Sequence, residues 1–228
     1  MLLQLPGLLT PDEVRTARER LLASDAPWID GRRSAGDQAV ARKNNRQLAQ
    51  DSDCCRRLQA LVLGALNRSP QFLSAALPSR IFNPLFNRYS GQNNAYGAHI
   101  DNAMVHSRNP AQWVRTDLSC TLFLSEPQAY EGGELAIHEP GAERRIKLAA
   151  GDLLLYPGDT RHEVTPVTRG ERLASFFWVQ SLVRSTEQRR ILWDFDQSLM
   201  SLRAQGDTDA TESLTGTYHR LLRLWGEP

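Results

Sequence analysis

Between Ile81 and Val183 the chain shows short alternating or apolar runs set between turn signals. They read "IFNPLFNRYS", "TDLSCTLFLS", "GGELAIHEP", "RRIKLAAGD", "DLLLYPGD" and "RHEVTPVTRGERLASFFWVQSLV". Several strands at this spacing, joined by glycine, proline and aspartate turns, predict an antiparallel sandwich or barrel such as a jelly roll. Helical signals bracket them. Thr10-Pro11-Asp12-Glu13 has the form of a capping box, with Leu9 placed to staple onto Val14, and predicts a helix to about Ala23. Leu58, Leu61, Val62 and Leu66 recur on one face of a helix over 52–67, and a short helix follows Pro70. After Ser185 two apolar stripes appear: Ile191, Leu192, Phe195, Leu199 and Leu202, then Leu214, Tyr218, Leu221, Leu222 and Trp225. With "AQGDTD" between them they predict a helical hairpin. The expected organisation is a helical support region over 1–80, a β core over 81–183 and a helical segment over 184–228.

Composition narrows the partners. At 228 residues and a formal charge of +1, the chain can bury a sizeable core and carries no global field that would draw it to nucleic acid or an anionic membrane. No apolar run approaches a membrane span, and the start, "MLLQLPGLLTPDEV", lacks a basic region and a cleavage site and is read as mature protein. Cys54, Cys55 and Cys120 are odd in number and two are adjacent, which suits a reducing cytoplasm, with Cys120 in the core.

The chemistry starts at "YGAHIDNAMVH". On a strand, residues i and i+2 share a face, so His99 and Asp101 can converge on one point inside a barrel. Further along, His162 begins a strand, and a hairpin centred on Val167 would place Arg172 directly opposite it. Two histidines and a carboxylate form the facial triad of non-haem Fe(II) oxygenases, and an arginine beside them can anchor an anionic co-substrate. Each residue has a blander reading: a hydrogen-bonded loop pair for His99 and Asp101, a satisfied core histidine for His162, a strand salt bridge for Arg172. Their order on a β-rich core favours the metal.

The succession Tyr89, Gly91, Tyr96, His99-x-Asp101, "GGEL", "GDLLLYP", His162 and Arg172 resembles the Fe(II)/2-oxoglutarate dioxygenases related to prolyl and lysyl hydroxylases, and over nearly the whole chain the bacterial PKHD-type hydroxylases, some with iron-uptake names. The resemblance implies a mainly β fold, a double-stranded β-helix (jelly roll) core with N-terminal helices and a C-terminal helical hairpin. It implies Fe(2+), 2-oxoglutarate and O2, with L-ascorbate as reductant. By position His99, Asp101 and His162 would hold iron, Arg172 the distal carboxylate of 2-oxoglutarate, and Tyr89 would add a hydroxyl to that pocket. Phe123 stands where animal prolyl hydroxylases place a tyrosine, which leaves open what supplies a second hydrogen bond. The carboxylate is absent from halogenating relatives, so Asp101 favours hydroxylation of an aliphatic C–H bond, with release of succinate and CO2.

Other residues weigh less. His106 and His138 are the runner-up ligands, His219 reads as structural, and Tyr96 is equally suited to packing and to acting. The basic stretch 31–48 reads as a solvated loop, with Lys43, Asn44 and Asn45 as candidates for the substrate entrance. Trp193 and Met200 lie beside the first C-terminal stripe and suggest a homodimer through that segment. The substrate, small molecule or peptide, is not legible. The competing classes are a cupin-like metal-binding sensor or isomerase, which would not need Arg172, and an interaction protein that binds no iron.

Overall fold

The structure is a computed structural model that describes residues 1–34, 40–108 and 110–227; residues 35–39 of the basic stretch lie outside the described residues. In chain order, β1 (Leu3–Leu5) precedes α1 (Pro11–Leu22), followed by β2 (Trp28–Asp30), β3 (Lys43–Asn44) and β4 (Arg46–Leu48). Two helices, α2 (Asp53–Asn67) and α3 (Pro70–Ala76), lead into β5 (Pro78–Ile81), β6 (Leu85–Tyr89) and β7 (Ala95–His99). A hairpin of β8 (Met104–Arg108) and β9 (Ala111–Arg115) comes next, then β10 (Leu118–Phe123), β11 (Tyr130–Gly132), β12 (Leu135–Glu139) and β13 (Ala142–Ile146). The sheets are completed by β14 (Leu153–Pro157), β15 (Arg161–Val164), β16 (Val167–Gly170) and β17 (Arg172–Ser181), and the chain ends in α4 (Thr186–Arg203) and α5 (Asp209–Trp225).

Local chemistry explains the helix starts. The Thr10 hydroxyl accepts from the Glu13 amide (3.3 Å) while Glu13 Oε2 accepts from the Thr10 amide (2.9 Å), so the expected capping box is present. Ser52, Ser69 and Ser185 cap α2, α3 and α4 by the hydroxyl bond alone, and Thr208 caps α5 in a second reciprocal box with Thr211.

The strands form a large sheet in the order β1-β14-β10-β17-β6-β4-β2, with β5 also on β17, and a smaller sheet in the order β13-β12-β15-β7-β3. All of these pairings are antiparallel, as a jelly roll requires. Alternation along the large sheet separates two environments. Cys120, Leu122, Leu153, Leu155, Leu173 and Phe177 join Leu21, Leu58, Val62, Leu66 and Phe72 in a core under the helices. The intervening residues, Ser119, Thr121, Tyr156, Arg172, Phe176 and Trp178 among them, line a cavity facing the smaller sheet.

Three expectations need correction. His162 and Arg172 are not partners in one hairpin: β15 pairs with β12 and β7, β16 with β11, and Arg172 sits across from Tyr89 in the other sheet. Three strands occupy 161–181 where two were expected: β16 pairs with β11 outside the two main sheets, and Gly170, in the left-handed region (φ 76°), turns the chain from it into β17 of the large sheet. The stretch 31–48 is not simply a solvated loop, since it supplies β3 and β4 and buries Lys43, Asn45 and Gln47. In α4, Leu192 and Leu199 are buried but Ile191 and Leu202 are exposed, while Trp193 packs against the main core. The helix touches α3 and the sheet as well as α5, so its covered arc is rotated from the stripe that periodicity alone suggests.

Arg189, 2 % exposed, ties the helical hairpin to the β core. Its guanidinium donates to the carbonyls of Val183 (2.7 Å), Arg184 (2.8 Å) and Asp117 (3.5 Å) and to the Thr186 hydroxyl (3.0 Å).

Candidate metal centre and its cavity

His99 is the last residue of β7 and His162 lies directly across from it on β15, so the ladder itself brings the two imidazoles together, with ring centroids 4.4 Å apart. Asp101 follows two residues later, just past the strand end, and Ile100 between them, though 56 % exposed, also lines the cavity. One ligand atom from each of His99, Asp101 and His162 lies within 4.8 Å of the others. Asp101 Oδ1 is 3.7 Å from His99 Nε2 and Oδ2 is 3.9 Å from His162 Nε2.

The surroundings set the donors for a cation. His99 Nδ1 is 2.9 Å from the Gly97 carbonyl and His162 Nδ1 is 3.0 Å from the Thr160 carbonyl. A carbonyl can only accept, so both Nδ1 atoms carry the proton and both Nε2 lone pairs face Asp101. Asp101 is oriented by the Ser119 hydroxyl (2.7 Å) and the Trp178 indole (2.9 Å), both donating to Oδ2. Tyr96 stacks on the His99 ring at 3.8 Å and Tyr156 meets His162 edge-on at 5.1 Å, which fixes the imidazole planes. Burial, reinforced by His162, pushes the His99 pKa down, so the imidazole stays neutral as a ligand must. Two neutral imidazoles and one carboxylate are the donor set of a borderline divalent metal such as Fe(II).

The same cavity contains Arg172, 1 % exposed. Its guanidinium carbon lies over the Tyr89 ring at 5.2 Å and the Phe123 ring at 5.4 Å, and its Nε and Nη1 find no acceptor among the described residues. The Tyr130 hydroxyl lies beside that guanidinium without completing a hydrogen bond to it, and burial raises its pKa against the cation's pull. Buried guanidinium N–H groups aimed into a cavity fit a carboxylate guest. Tyr89 is fully enclosed, its hydroxyl 3.4 Å from Asn87 Nδ2, and burial raises its pKa too.

Lys43 and Asn45 line this cavity, whereas Asn44 is exposed and donates to the Gln92 carbonyl at 2.6 Å. The Lys43 ammonium lies 5.2 Å from the Tyr96 ring centroid, 5.6 Å from that of Phe176 and 3.4 Å from Gln47 Oε1, and burial lowers its pKa to about 8. Neither runner-up histidine reaches the centre. His106 is exposed in the β8–β9 hairpin, edge-on to Trp113 at 5.1 Å. His138 sits between Glu143 (3.5 Å) and Glu163 (3.6 Å), on the face of the smaller sheet opposite to its buried neighbour Ile137. Ser119 and Trp178 were not legible as partners of Asp101, although period-two counting from Arg172 reaches Phe176 and Trp178 on the same face.

The family model for the 2OG-Fe(II) oxygenase superfamily matches residues 84–180, and that for the PKHD-type hydroxylase C-terminal domain matches residues 187–227. A PKHD-type hydroxylase from Polaromonas sp. is 55 % identical over 228 residues, covering 100 % of both chains, and one from Verminephrobacter eiseniae is 52 % identical with the same coverage. Among solved structures, a prolyl hydroxylase from Trichoplax adhaerens in complex with a hypoxia inducible factor peptide superposes with a TM-score of 0.57 at 18 % identity. The match covers 84 % of this chain and 86 % of that one, a likeness of fold.

Proposed function

The chain belongs to the PKHD-type hydroxylases of the 2OG-Fe(II) oxygenase superfamily and is a 2-oxoglutarate-dependent dioxygenase, and from that premise we propose that His99, Asp101 and His162 hold its iron and Arg172 its co-substrate. The observation that carries this is the pair of Nδ1-anchored imidazoles whose Nε2 atoms face one carboxylate. When bound, Fe(II) couples the oxidative decarboxylation of 2-oxoglutarate by O2, to succinate and CO2, with insertion of oxygen into an aliphatic C–H bond.

The chain's own residues position and protect. The carbonyls of Gly97 and Thr160 hold both imidazoles in the ligating tautomer, and Ser119 and Trp178 restrain Asp101. Arg172 binds the distal carboxylate of 2-oxoglutarate through its inward N–H groups. Tyr130, beside that guanidinium, supplies the second hydrogen bond that Phe123 cannot make, and Tyr89 packs its ring under the cation more than it offers its hydroxyl. Phe176, Leu135 and Val164 exclude water from the reacting carbon.

L-Ascorbate as reductant and a cytoplasmic location belong to the same reading, the latter resting on three free cysteines, two of them side by side. A small-molecule or peptide substrate, without nucleic acid or membrane, suits the narrow cavity and near-neutral charge; among the described residues no helix is long and apolar enough to cross a membrane. A homodimer through the C-terminal helices would use Ile191, Met200, Leu202 and Leu224, which are exposed, rather than Trp193. Fe(II) and 2-oxoglutarate binding under anaerobic conditions, followed by succinate release on admitting O2, tests the assignment. Both should vanish in His99→Ala and Asp101→Ala, and retained turnover in either variant would refute the ligand set.

A further inference from the structure

Two carboxamides of the cavity wall take no part in holding the metal or the co-substrate. Asn45 is 2 % exposed and Asn87 7 %, and both line the cavity. Asn45 is the single residue between β3 and β4, so it sits where the chain passes from the smaller sheet to the large one and closes that side of the cavity. Asn87 lies on β6 across from Ala174, the small residue between Arg172 and Phe176 on the inward face of β17. Its Nδ2 reaches only the Tyr89 hydroxyl, at 3.4 Å, and its Oδ1 finds no donor among the described residues. The Asn45 Oδ1 is turned to Gly31, where a Cβ would meet it at 1.8 Å. That leaves Nδ2 on the side of the Tyr89 hydroxyl, without a completed bond.

Buried amide groups are rarely left unpaired, so this corner is built for a guest that supplies both an acceptor and a donor. The 2-oxoglutarate dianion carries acceptors only and would leave Asn87 Oδ1 bare. An ammonium carries donors only, and the Arg172 guanidinium over the Tyr89 ring repels it. An uncharged amide offers its carbonyl oxygen to Asn45 and its N–H to Asn87.

Resting on the function proposed above, we propose that Asn45 and Asn87 form a subsite for an uncharged amide of the substrate, a carboxamide or a peptide unit, beside the co-substrate. Strand β17 measures the way to the reacting carbon. Trp178, which holds Asp101, is four residues beyond Ala174, about 13 Å along the strand, so the hydroxylated carbon is several bonds from the amide. The carbons between them pass Phe176, and the two carboxamides select the amide over a ketone or ester of the same shape, which brings no hydrogen for Asn87 Oδ1.

The test uses protein loaded with redox-inert Zn(II) and saturating 2-oxoglutarate, titrated calorimetrically with hexanamide and with heptan-2-one, in which a methyl replaces the NH2 group at nearly equal size. Hexanamide should bind about 10-fold or more tightly, the scale of a buried acceptor satisfied rather than left bare, although the ketone is the more apolar molecule. In Asn87→Leu, of similar size without the acceptor, that preference should disappear while 2-oxoglutarate affinity stays within about 3-fold. Equal or tighter binding of the ketone by the parent, or no binding of either at about 10 mM, would overturn the proposal and leave the corner to buried water. An amide preference that survives Asn87→Leu would overturn it as well, and so would a fall in 2-oxoglutarate affinity as large as that for hexanamide, which would give Asn87 to the co-substrate. The comparison in the parent decides the matter even if the variant misfolds. Failure of the parent to take up Zn(II) and 2-oxoglutarate at all would instead remove the reading on which the proposal rests.

Discussion

Arg172 discriminates most sharply among uses of this centre, because a metal-binding protein that did not handle a 2-oxo acid would have no reason to bury a guanidinium with unpaired N–H groups beside it. Arg172→Ala is expected to weaken 2-oxoglutarate binding by roughly 10-fold to 150-fold, the equivalent of about 1.5 to 3 kcal/mol, while Fe(II) affinity changes little. Arg172→Lys keeps charge without the planar fork and should fall between. Calorimetry on the metal-loaded variants measures both; unchanged affinity in Arg172→Ala would refute the co-substrate assignment. His106→Ala and His138→Ala should leave metal binding intact, since neither side chain lines the cavity. At this scale the sequence was readable where the chemistry has a spacing: His99 and Asp101 are two apart, and alternation alone puts them together. Lys43 and Asn45 could be named as candidates for the substrate entrance, and both line the cavity, but their burial was not readable. Their neighbourhood is basic and polar, and what buries them is a two-residue strand pairing with β7, more than fifty residues away. No local pattern encodes that pairing.

Among the elements, the turn into β17 determines where Arg172 can point. Gly170 has φ 76°, and a Cβ there would meet the Ala129 carbonyl oxygen at 2.2 Å. Gly170→Ala should cost about 1–3 kcal/mol in left-handed strain and more from the clash. It should also weaken 2-oxoglutarate binding, because the displaced turn is two residues from the guanidinium. Denaturant melts together with co-substrate titration check both effects; a variant as stable as the parent would show that the turn is not strained. The C-terminal hairpin depends on Arg189 in a different way. Arg189→Ala strips charge-assisted partners from buried carbonyls and should destabilise by about 2–4 kcal/mol, measured by urea unfolding, with the metal ligands untouched. Helix positions were legible because caps are written in neighbouring residues, as Thr10 and Glu13 are. The route from His162 to Arg172 was not, since a hairpin and a crossing of sheets both fit "EVTPVTRGER", and only the pairing of β16 with β11 separates them.

For the molecule as a whole, the apolar surface left on the C-terminal helices is scattered: Ile191 is 50 % exposed, Met200 57 % and Leu224 73 %. If these form the dimer contact, light scattering at micromolar concentration should give twice the 25.7 kDa chain mass, reduced to the monomer in Met200→Glu. A monomeric parent would dismiss the dimer. The general architecture followed from the sequence because antiparallel strands and their turns are local, whereas the division into two facing sheets is set by which distant strands pair. That division makes one strand serve as a gauge. β17 crosses the cavity with Arg172 at one end and, six residues on, Trp178 fastened to Asp101, a backbone span of about 20 Å that stretching cannot alter. The guest between guanidinium and metal must therefore match a set length. Oxaloacetate, one methylene shorter than 2-oxoglutarate, and 2-oxoadipate, one longer, should each be poor replacements, turned away by chain length although every group that the protein grips is present at both ends.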